Sequence, residues 1–467
     1  MSRSYAESIP RAPSAFAAVH AFAAETEKTI TSPGMLRAEH SEAETFVEQS
    51  GREWARLLFE AHCALRAERE EPVRVVGSDG AERTSTRDSE RHVETLVGNV
   101  AVPRLAYQEP GHLDLHPLDA QLNLPTTDSF SHGVRRFVAT ESARSSFDEV
   151  VTVIRERSGA TISKRQVEQL AVRAAEDFDA FYALRRHERL LTTDLLVIST
   201  DGKGIVVRPQ DLREATRKRA AESVRKVETR LTPGQKRDRK RIAQVAAIYD
   251  VAPWQRTAAD VLHTLKDDET ESERPKPTHK RVFASVKKTH RAVIREAFDE
   301  AQRRDPEHKR RWVVLVDGDA KQLDAVKAEA KRVGVEVTIV ADVVHVLEYV
   351  WKAARAIFGQ TSPEAESWVG DRFLGLLTGR SGGDIAKTIR WWTRQRDADL
   401  DDSRRAAIEK ACGYLANRTR TRLMHYDRYL ADGLPISTGV IEGACRYLVK
   451  DRMDRTGARW SLTGADA

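Results

Sequence analysis

The sequence is poor in cysteine and contains no long apolar run. Its three cysteines, Cys63, Cys412 and Cys445, lie far apart, and no Cys-x-x-Cys pair occurs. This pattern argues against a zinc ribbon or a disulfide framework and is typical of a reduced, cytoplasmic protein. No apolar run approaches the roughly 18–20 residues that a membrane span needs, and the first residues lack a signal-peptide pattern. We therefore expect a soluble protein without a membrane partner.

Charge is distributed unevenly along the 467 residues. The chain is 40% apolar and 32% charged with a net charge of +6, and its length predicts more than one domain. Residues 208–241 hold 13 Lys or Arg against 5 Asp or Glu, a local net charge of +8, which leaves the remainder slightly acidic. Such a block is typical of a segment that binds a polyanion. The alternative is that each of its residues lies on a solvent-exposed helix face. Its clustered basic residues are Arg217, Lys218, Arg219, Lys236, Arg237, Arg239, Lys240 and Arg241.

The first 190 residues predict an N-terminal α+β region. We expect a loose arm over 1–40, a helix over 41–70 and a β-hairpin within 73–107. A helix over 147–157, a glycine-containing turn and a second helix over 162–182 follow. This order is typical of a DNA-binding helix-turn-helix, and a simple helical hairpin is the alternative. The residues that would contact DNA at the start of the second helix are Lys164, Arg165 and Gln166.

A short apolar run over 195–198 leads to Asp201. The run predicts a buried strand, Gly202 and Gly204 then predict a turn, and 205–207 predicts a returning strand. A carboxylate beside a core is costly unless it is paired or bound to a metal ion, so Asp201 is a candidate catalytic residue. An Asp-Gly turn is the alternative interpretation.

The following segments predict an α/β sheet and then a helical region. With the two strands near Asp201, three strands precede a helix, and strand, helix and strand come next, which is the element order of the ribonuclease-H-like fold. We expect this catalytic core over 191–345 and 431–467, an all-α insertion over 346–430, and a DNA-binding region over 41–190. The predicted core elements after Val207 are a strand over 242–251, a loop over 265–280, a helix over 282–304, a strand over 312–316, a helix over 323–333 and a strand over 335–340.

Two of the predicted strands end on an aspartate that is followed by glycine, at Asp201 and Asp317. The first and fourth strands of such a sheet are parallel neighbours, so we expect the two carboxylates side by side, with Glu442 from a late helix as a third. Three clustered carboxylates repel one another unless a divalent cation lies among them, and oxygen ligands suit Mg²⁺ or Mn²⁺. Two such ions can activate a water or a 3′-hydroxyl for phosphodiester chemistry.

Five ordered segments carry a resemblance to a known family. They are Ser-Thr-Asp-Gly-Lys-Gly-Ile (199–205), Arg-Asp-Pro (304–306), Val-Leu-Val-Asp-Gly (314–318), Asp-Val-Val-His-Val-Leu-Glu-Tyr-Val-Trp-Lys-Ala-Ala (342–354) and Gly-Leu-Pro-Ile-Ser-Thr-Gly-Val-Ile-Glu-Gly-Ala-Cys-Arg (433–446). These segments resemble those of Kra-type bacterial insertion-sequence transposases, members of the DDE superfamily that are distantly similar to Mutator-type enzymes. The likeness extends more loosely back to about residue 50. It implies that Asp201, Asp317 and Glu442 form the catalytic, metal-binding triad.

The resemblance also implies accessory residues. Asp342 and His345 match the family's Asp-x-x-His signature, which implies a role in orienting a metal-bound water or a DNA strand. A helix-capping Asp342 beside a packed His345 is the alternative. Asp319 and Asp324 are alternatives to Asp317 for the second carboxylate.

Two departures from the family pattern are visible. Residues 436–439 read Ile-Ser-Thr-Gly where relatives commonly read Ile-Gly-Ser-Gly, and the loss of one glycine makes the turn less permissive. The sequence ends seven residues after Trp460, where relatives continue with helical sequence. A truncated copy is therefore one expectation.

The resemblance implies a DDE transposase. It would cleave DNA at insertion-sequence ends and transfer the 3′-hydroxyl into target DNA, with Mg²⁺ or Mn²⁺, two ions in number, as cofactor. The expected partners are double-stranded terminal inverted repeats, target DNA and further copies of the chain, within the nucleoid. Two alternatives stay open: a catalytically inactive DNA-binding remnant or repressor of the same element, and another ribonuclease-H-like nuclease such as a resolvase.

Overall fold

The computed structural model describes residues 15–185, 193–222, 239–266, 274–360, 362–396, 400–454 and 458–466. It is a mixed α/β structure with one five-stranded mixed sheet and many helices, which confirms the predicted α/β class. The chain divides between Ala183 and Leu184 into two compact units. Within the described ranges, no helix combines the length and the apolar character that crossing a bilayer requires.

The first unit is built around a long β-hairpin and several helices. Its strands are β1 (Val75–Val76), β2 (Glu82–Arg83), β3 (Ser85–Thr95) and β4 (Gly98–Gln108), and its helices are α1 (Ala17–Ile30), α2 (His40–Ala67), α3 (Pro117–Gln121), α4 (His132–Ser142), α5 (Phe147–Ser158), α6 (Lys164–Ala174) and α7 (Phe178–Leu184). Strands β3 and β4 pair antiparallel along their whole length. Helix α2 packs on this hairpin, where Cys63 is buried with Val93, Val100 and Val102.

The predicted loose arm is wrong for residues 17–30, which form α1. Five of the first eight residues of α1 are alanine, the residue with the highest helix propensity. The helix packs against α2, and Val19 is buried. Residues 1–14 lie outside the described part of the chain.

Helices α4, α5 and α6 surround a small core of their own. Capping boxes start α5 at Ser146 and α6 at Ser163, and Gly159 ends α5 in the left-handed conformation with φ of 68°. The predicted second helix is wrong in length, because α6 ends at Ala174 and α7 is separate. Neither glycine nor proline marks this break, so the pattern predicted one continuous helix.

The second unit holds the five-stranded sheet. Its strands are β5 (Leu195–Val206), β6 (Lys240–Val251), β7 (Thr278–Ser285), β8 (Trp312–Val316) and β9 (Val337–Ala341), and they lie in the order β7-β6-β5-β8-β9. Strand β6 is antiparallel to both of its neighbours, β5 and β7, whereas β8 is parallel to β5 and to β9. The helices of this unit are α8 (Glu214–Glu222), α9 (Ala258–Lys266), α10 (His290–Arg304), α11 (Ala320–Val333), α12 (Val343–Phe358), α13 (Pro363–Leu377), α14 (Gly382–Gln395), α15 (Asp402–Arg420), α16 (Tyr426–Ala431), α17 (Gly439–Ala444), α18 (Asp451–Met453) and α19 (Leu462–Asp466).

The predicted turn after Asp201 is wrong. Strand β5 continues through Gly202 and Gly204 and pairs with β6 along its whole length. The two glycines allow side chains of β6 to pack closely over β5. A β-carbon built on Gly202 would lie 2.8 Å from Cγ2 of Ile242, and one built on Gly204 would lie 2.9 Å from Cδ of Lys240. The predicted first and second strands are therefore one strand.

The third antiparallel strand is β7, in a segment where the sequence predicted a loop and the start of a helix. Helix α10 begins only after Thr289, whose hydroxyl accepts a hydrogen bond from the backbone N–H of Ala292. Arg281 is buried on β7 by its ion pair with Glu300, and this buried charge interrupted the apolar alternation that marks a strand. Of the three strands predicted before the helix, the first and the third lie within β5 and β6, the second is a continuation of β5, and β7 was not predicted.

After β9 the chain is helical from α12 to α16, as predicted. Their apolar faces join the main core of the sheet, which includes Trp312, Val350, Phe373 and Leu415. Residues Cys445–Lys450 form a short π-helical segment between α17 and α18. The last described residues return to the sheet.

The end of the described chain is attached to the sheet at two points. Trp460 forms a parallel bridge with Val207. The carboxylate of Asp466 accepts hydrogen bonds from Oγ of Ser285 at 2.7 Å and from the backbone N–H of Val286 at 3.1 Å. These contacts bring α19 to the edge strand β7.

Candidate active site beside Asp201 and Asp317

Asp201 and Asp317 occupy equivalent positions on the two central parallel strands. The last register pair between β5 and β8 is Ser199 with Leu315. Each aspartate lies two residues beyond that pair, and successive side chains in a strand alternate between faces. The two carboxylates therefore lie just beyond the last β5–β8 pair and on the same face of the sheet.

Both aspartates line one cavity of about 230 Å³. Nε2 of His290 and Oε1 of Gln322 are buried there without a hydrogen-bond partner among the described residues. The cavity thus combines carboxylates with polar groups whose hydrogen-bonding capacity is unused. Its other polar lining residues are Thr200, Gln244, Asp319 and Lys321.

Local hydrogen bonds orient the two carboxylates. Oδ1 of Asp201 accepts the backbone N–H of Gly202 at 2.6 Å, and its Oδ2 accepts the thiol of Cys445 at 3.4 Å. Oδ1 of Asp317 accepts the backbone N–H of Asp319 at 2.9 Å. The carboxylate of Asp319 caps α11 by accepting the backbone N–H of Lys321, so this alternative residue already has a structural role.

Glu442 lies in the first turn of α17, whose apolar side packs on the sheet. Ile441 and Ala444 are buried in one cluster with Ile205 and Val245. Oε1 of Glu442 lies 3.3 Å from the hydroxyl of Thr438, which also donates to Oδ2 of Asp342. Because one hydroxyl has one proton, Thr438 donates to only one of these carboxylates at a time.

Asp342 and His345 have different surroundings. Asp342 is fully buried and caps α12 by accepting the backbone N–H of Val344 at 3.0 Å. Burial raises the pKa of Asp342, and the hydrogen bond from Thr438 opposes this effect. The side chain of His345 is 39% exposed, and its Nδ1 lies 3.7 Å from Oε2 of Glu348. The structure thus gives Asp342 a capping role and leaves His345 partly exposed.

Cys445 is a site residue that sequence reasoning did not single out. It is buried at the start of the π-helical segment. Burial and the adjacent Asp201 carboxylate raise the pKa of Cys445 to about 12, so its thiol remains a protonated donor at neutral pH. The negative charge of Glu442 acts in the same direction.

Tyr414 and Arg418 also reach the site and were missed. The hydroxyl of Tyr414 donates to the backbone carbonyl of Asp317 at 3.0 Å, and Arg418 lies over Gly318. Both belong to α15, about 100 residues further along the chain. Their spacing of four residues places them on one helix face, but this spacing is too common in sequences to identify a site.

The donor set around Asp201 and Asp317 fits a divalent cation. Mg²⁺ is commonly bound by one or two carboxylates, with water and substrate phosphates completing its ligands. Each of the two aspartates keeps oxygen lone pairs beyond the hydrogen bonds given above. Among the described residues, however, no three His, Cys, Asp or Glu side chains lie close enough together to hold a metal ion. The pair fits such an ion, and the complete triad with Glu442 is not assembled around one point.

The predicted DNA-contacting residues of the first unit lie at the start of α6. Lys164 forms an ion pair with Asp148 at 2.5 Å. The side-chain Oε1 of Gln166 accepts the backbone N–H of Ser163 at 2.9 Å and completes the capping box. Arg165 is exposed to solvent. Of the three, Arg165 is the most accessible to a ligand.

The basic block of the second unit is described in part. The exposed face of α8 carries Arg217, Lys218 and Arg219. Arg239, Lys240 and Arg241 are half-buried at the start of β6, where Lys240 lies 3.5 Å from Asp454. Arg241 donates to the backbone carbonyls of Val286 at 2.8 Å and Asp211 at 3.1 Å, which is a structural role. Lys236 and Arg237 lie outside the described residues.

In comparisons with known proteins, no family model matches this chain, and no curated protein matches it either. The family resemblance of the five sequence segments therefore stays a prediction.

Proposed function

We propose that this chain is a DDE transposase that cleaves DNA at the ends of its element and joins the freed 3′-hydroxyl to target DNA. The observation that carries the proposal is the pair Asp201 and Asp317. These carboxylates come from adjacent parallel strands at equivalent register, and they line one polar cavity. Paired carboxylates in such a setting are suited to phosphodiester chemistry that depends on a divalent cation.

The arrangement of the sheet supports a ribonuclease-H-like core. In chain order the strands lie 3-2-1-4-5, with the second antiparallel to its neighbours and the last two parallel to the first. This strand order is the one that the proposed ribonuclease-H-like core would have. Helices α12 to α16 would then be the insertion between the core and Glu442.

Each residue of the site has a role in the proposal. Asp201 and Asp317 would hold Mg²⁺ or Mn²⁺, which when bound lowers the pKa of a water or hydroxyl and stabilises the leaving oxygen. Cys445 orients Asp201 through its thiol, and the backbone N–H of Asp319 orients Asp317. Glu442 would join them as the third carboxylate when DNA is bound.

The basic surfaces support DNA as the substrate. Arg165 in the first unit and Arg217, Lys218 and Arg219 on α8 are solvent-exposed cations that can neutralise phosphates. The helix-turn-helix would bind the terminal repeats, and α8 would bind flanking phosphates. Because a transposase joins two ends, the active form would contain more than one copy of the chain.

The test is cleavage of duplex DNA that carries the flanking inverted repeats, in Mg²⁺ or Mn²⁺. We expect Asp201→Asn, Asp317→Asn and Glu442→Gln each to reduce the cleavage rate at least about 100-fold, because each removes a charged ligand from the reacting centre. Asp324→Asn is the matched control, since this exposed acid lies on α11 outside the cavity lining. Cleavage that persists in both aspartate variants would show that the active site lies elsewhere.

A DNA-binding protein without catalytic activity is the second candidate. The observation that favours it is the absence, among the described residues, of a three-member metal-binding group, together with the hydrogen bond between Thr438 and Glu442. In this case the unmodified chain would bind the repeats and would not cleave them in either metal ion. The same cleavage experiment therefore separates the two functions.

A further inference from the structure

Arg418 lies directly against the turn that follows Asp317. Gly318 has a φ of +89°, and a β-carbon built on it would lie 2.1 Å from Nε and 2.7 Å from Cζ of Arg418. Only a residue without a side chain allows the guanidinium to approach the backbone so closely. The glycine after the second aspartate thus makes room for a cation.

Tyr414 holds Arg418 in this place. The guanidinium carbon lies 4.7 Å from the centre of the Tyr414 ring, within the range of a cation–π interaction. The Tyr414 ring is in turn stacked on Tyr349 with 3.8 Å between ring centres and 11° between planes. Because the Tyr414 hydroxyl donates to the carbonyl of Asp317, both side chains are fixed relative to the site.

The charge of Arg418 is not neutralised within the described part of the chain. No ion pair between Arg418 and a carboxylate is found among the described residues, and Nε of Arg418 is buried without a hydrogen-bond acceptor. Many other half-buried arginines of this protein, such as Arg56 and Arg135, pair with an acid. A partly buried guanidinium with an unused donor is suited to a planar, bidentate contact with an anion.

We propose that Arg418 binds a phosphate of the DNA strand that enters the Asp201 and Asp317 cavity. This inference rests on the proposed function and adds a substrate-binding residue from the helical region. The guanidinium would contact non-bridging phosphate oxygens, while Tyr414 limits its movement. Helix α15 would thereby become part of the DNA-binding surface.

The test measures DNA binding in EDTA, where no cleavage is expected. The dissociation constant of an inverted-repeat duplex is measured by fluorescence anisotropy over a range of salt concentrations. We expect Arg418→Ala and Arg418→Gln to weaken binding about tenfold, because one charge-assisted contact is lost, and to reduce the slope of log K against log salt by about 0.9. Arg418→Lys should retain the slope because it keeps the cation.

Arg420→Ala is the matched control, because it removes an equal charge from an exposed position on the same helix. The inference is wrong if the slope is unchanged in both Arg418→Ala and Arg418→Gln, or if Arg420→Ala reduces it equally. Thermal unfolding of each variant shows whether that variant folds. If Arg418→Ala does not fold, the salt dependence of Arg418→Gln, which keeps a long polar side chain, tests the inference. A reduced slope in a chain that never cleaves DNA would support the phosphate contact and contradict the transposase proposal.

Discussion

The hydroxyl of Thr438 donates a hydrogen bond to the buried carboxylate of Asp342, although 96 positions separate the two residues. Beside it, the backbone N–H of Val343 donates to the carbonyl of Ile436 at 2.9 Å. These bonds join the start of α12 to the loop that precedes α17. The position of Glu442 therefore depends on where the helical region begins.

We expect Thr438→Val to lower the free energy of unfolding by about 2–3 kcal/mol at pH 7, because a buried carboxylate loses a charge-assisted donor. Thr438→Ser keeps the hydroxyl and should cost only about 1 kcal/mol for the lost methyl group. Urea-induced unfolding of the three proteins measures both differences. Equal stability of the valine and serine variants would mean that the hydrogen bond contributes nothing.

The stability difference between Thr438→Val and the unmodified chain should also depend on pH. Burial raises the pKa of Asp342 above its ordinary 3.8, so ionisation of Asp342 in the folded state lowers stability as the pH rises from 3.8 through the raised pKa. Removal of the Thr438 hydroxyl should raise this pKa further. We therefore expect a larger difference at pH 7 than at pH 3.5, measured by urea unfolding at both values. A difference independent of pH would contradict this account.

Glu300 should dominate the acid sensitivity of the second unit. Burial alone would raise its pKa, but Arg303, Arg304 and Arg281 outweigh that effect and lower the pKa from 4.5 to about 2. A lowered pKa contributes stability above about 4.5, and this contribution is lost as the pH falls toward 2. We expect Glu300→Gln to lower the free energy of unfolding by about 3–5 kcal/mol at pH 7, because buried arginines lose their counter-charge.

The check for Glu300 is unfolding measured between pH 7 and pH 3. The difference between Glu300→Gln and the unmodified chain should shrink as the pH falls below 4.5. Glu296→Gln is the matched control, since Glu296 also pairs with Arg281 but its side chain is 23% exposed. If Glu296→Gln lowers the free energy of unfolding as much as Glu300→Gln does, the effect comes from surface charge and not from burial of Glu300.

Cys445 should resist alkylation in the folded protein. With its pKa raised to about 12, the thiol is almost entirely protonated at pH 8, and the side chain is buried as well. We expect iodoacetamide to label Cys445 only after denaturation in guanidinium, as shown by mass spectrometry of tryptic peptides. Rapid labelling of the native chain would place the thiol in solvent and remove its hydrogen bond to Asp201.

Gly318→Ala and Gly334→Ala form a matched pair. Both positions have positive φ, +89° and +77°, but a β-carbon meets Arg418 only at Gly318 and open space at Gly334. We expect Gly334→Ala to cost about 1–2 kcal/mol of stability for its backbone conformation alone. Gly318→Ala should cost more, because Arg418 must move. Urea unfolding of the two variants provides the comparison, and equal losses would show that Arg418 moves without resistance.

Alanine substitutions of Arg165 and Gln166 should have different effects, the first on DNA affinity and the second on helix stability. Arg165→Ala is expected to weaken binding of the repeat duplex severalfold without changing the melting temperature, since the side chain is exposed. Gln166→Ala is expected to lower stability by about 1 kcal/mol through loss of the capping box, with little effect on affinity. Anisotropy and thermal melting of both variants test this contrast, and reversed effects would exclude DNA contact through Arg165.

Local sequence was sufficient wherever the signal lies within one element. The continuous apolar run 312–316 predicted β8, and the residues around Gly159 predicted the turn between α5 and α6. These predictions succeed because burial pattern and turn chemistry act over a few neighbouring residues. The expectation that Asp201 and Asp317 lie side by side came instead from the element order of the predicted fold, and in the structure both residues line one cavity.

Tertiary structure decided everything that depends on distant partners. Gly202 and Gly204 look like a turn, yet they lie in a strand because side chains of β6 pack over them. The strand β7 was missed because its buried Arg281 forms ion pairs with Glu300 and Glu296 on another element. Likewise, Thr438 meets Asp342 and Arg418 meets Gly318 across about 100 residues of chain. No local pattern encodes such contacts, since they arise only when the helical region folds back onto the sheet and close packing selects which side chains meet.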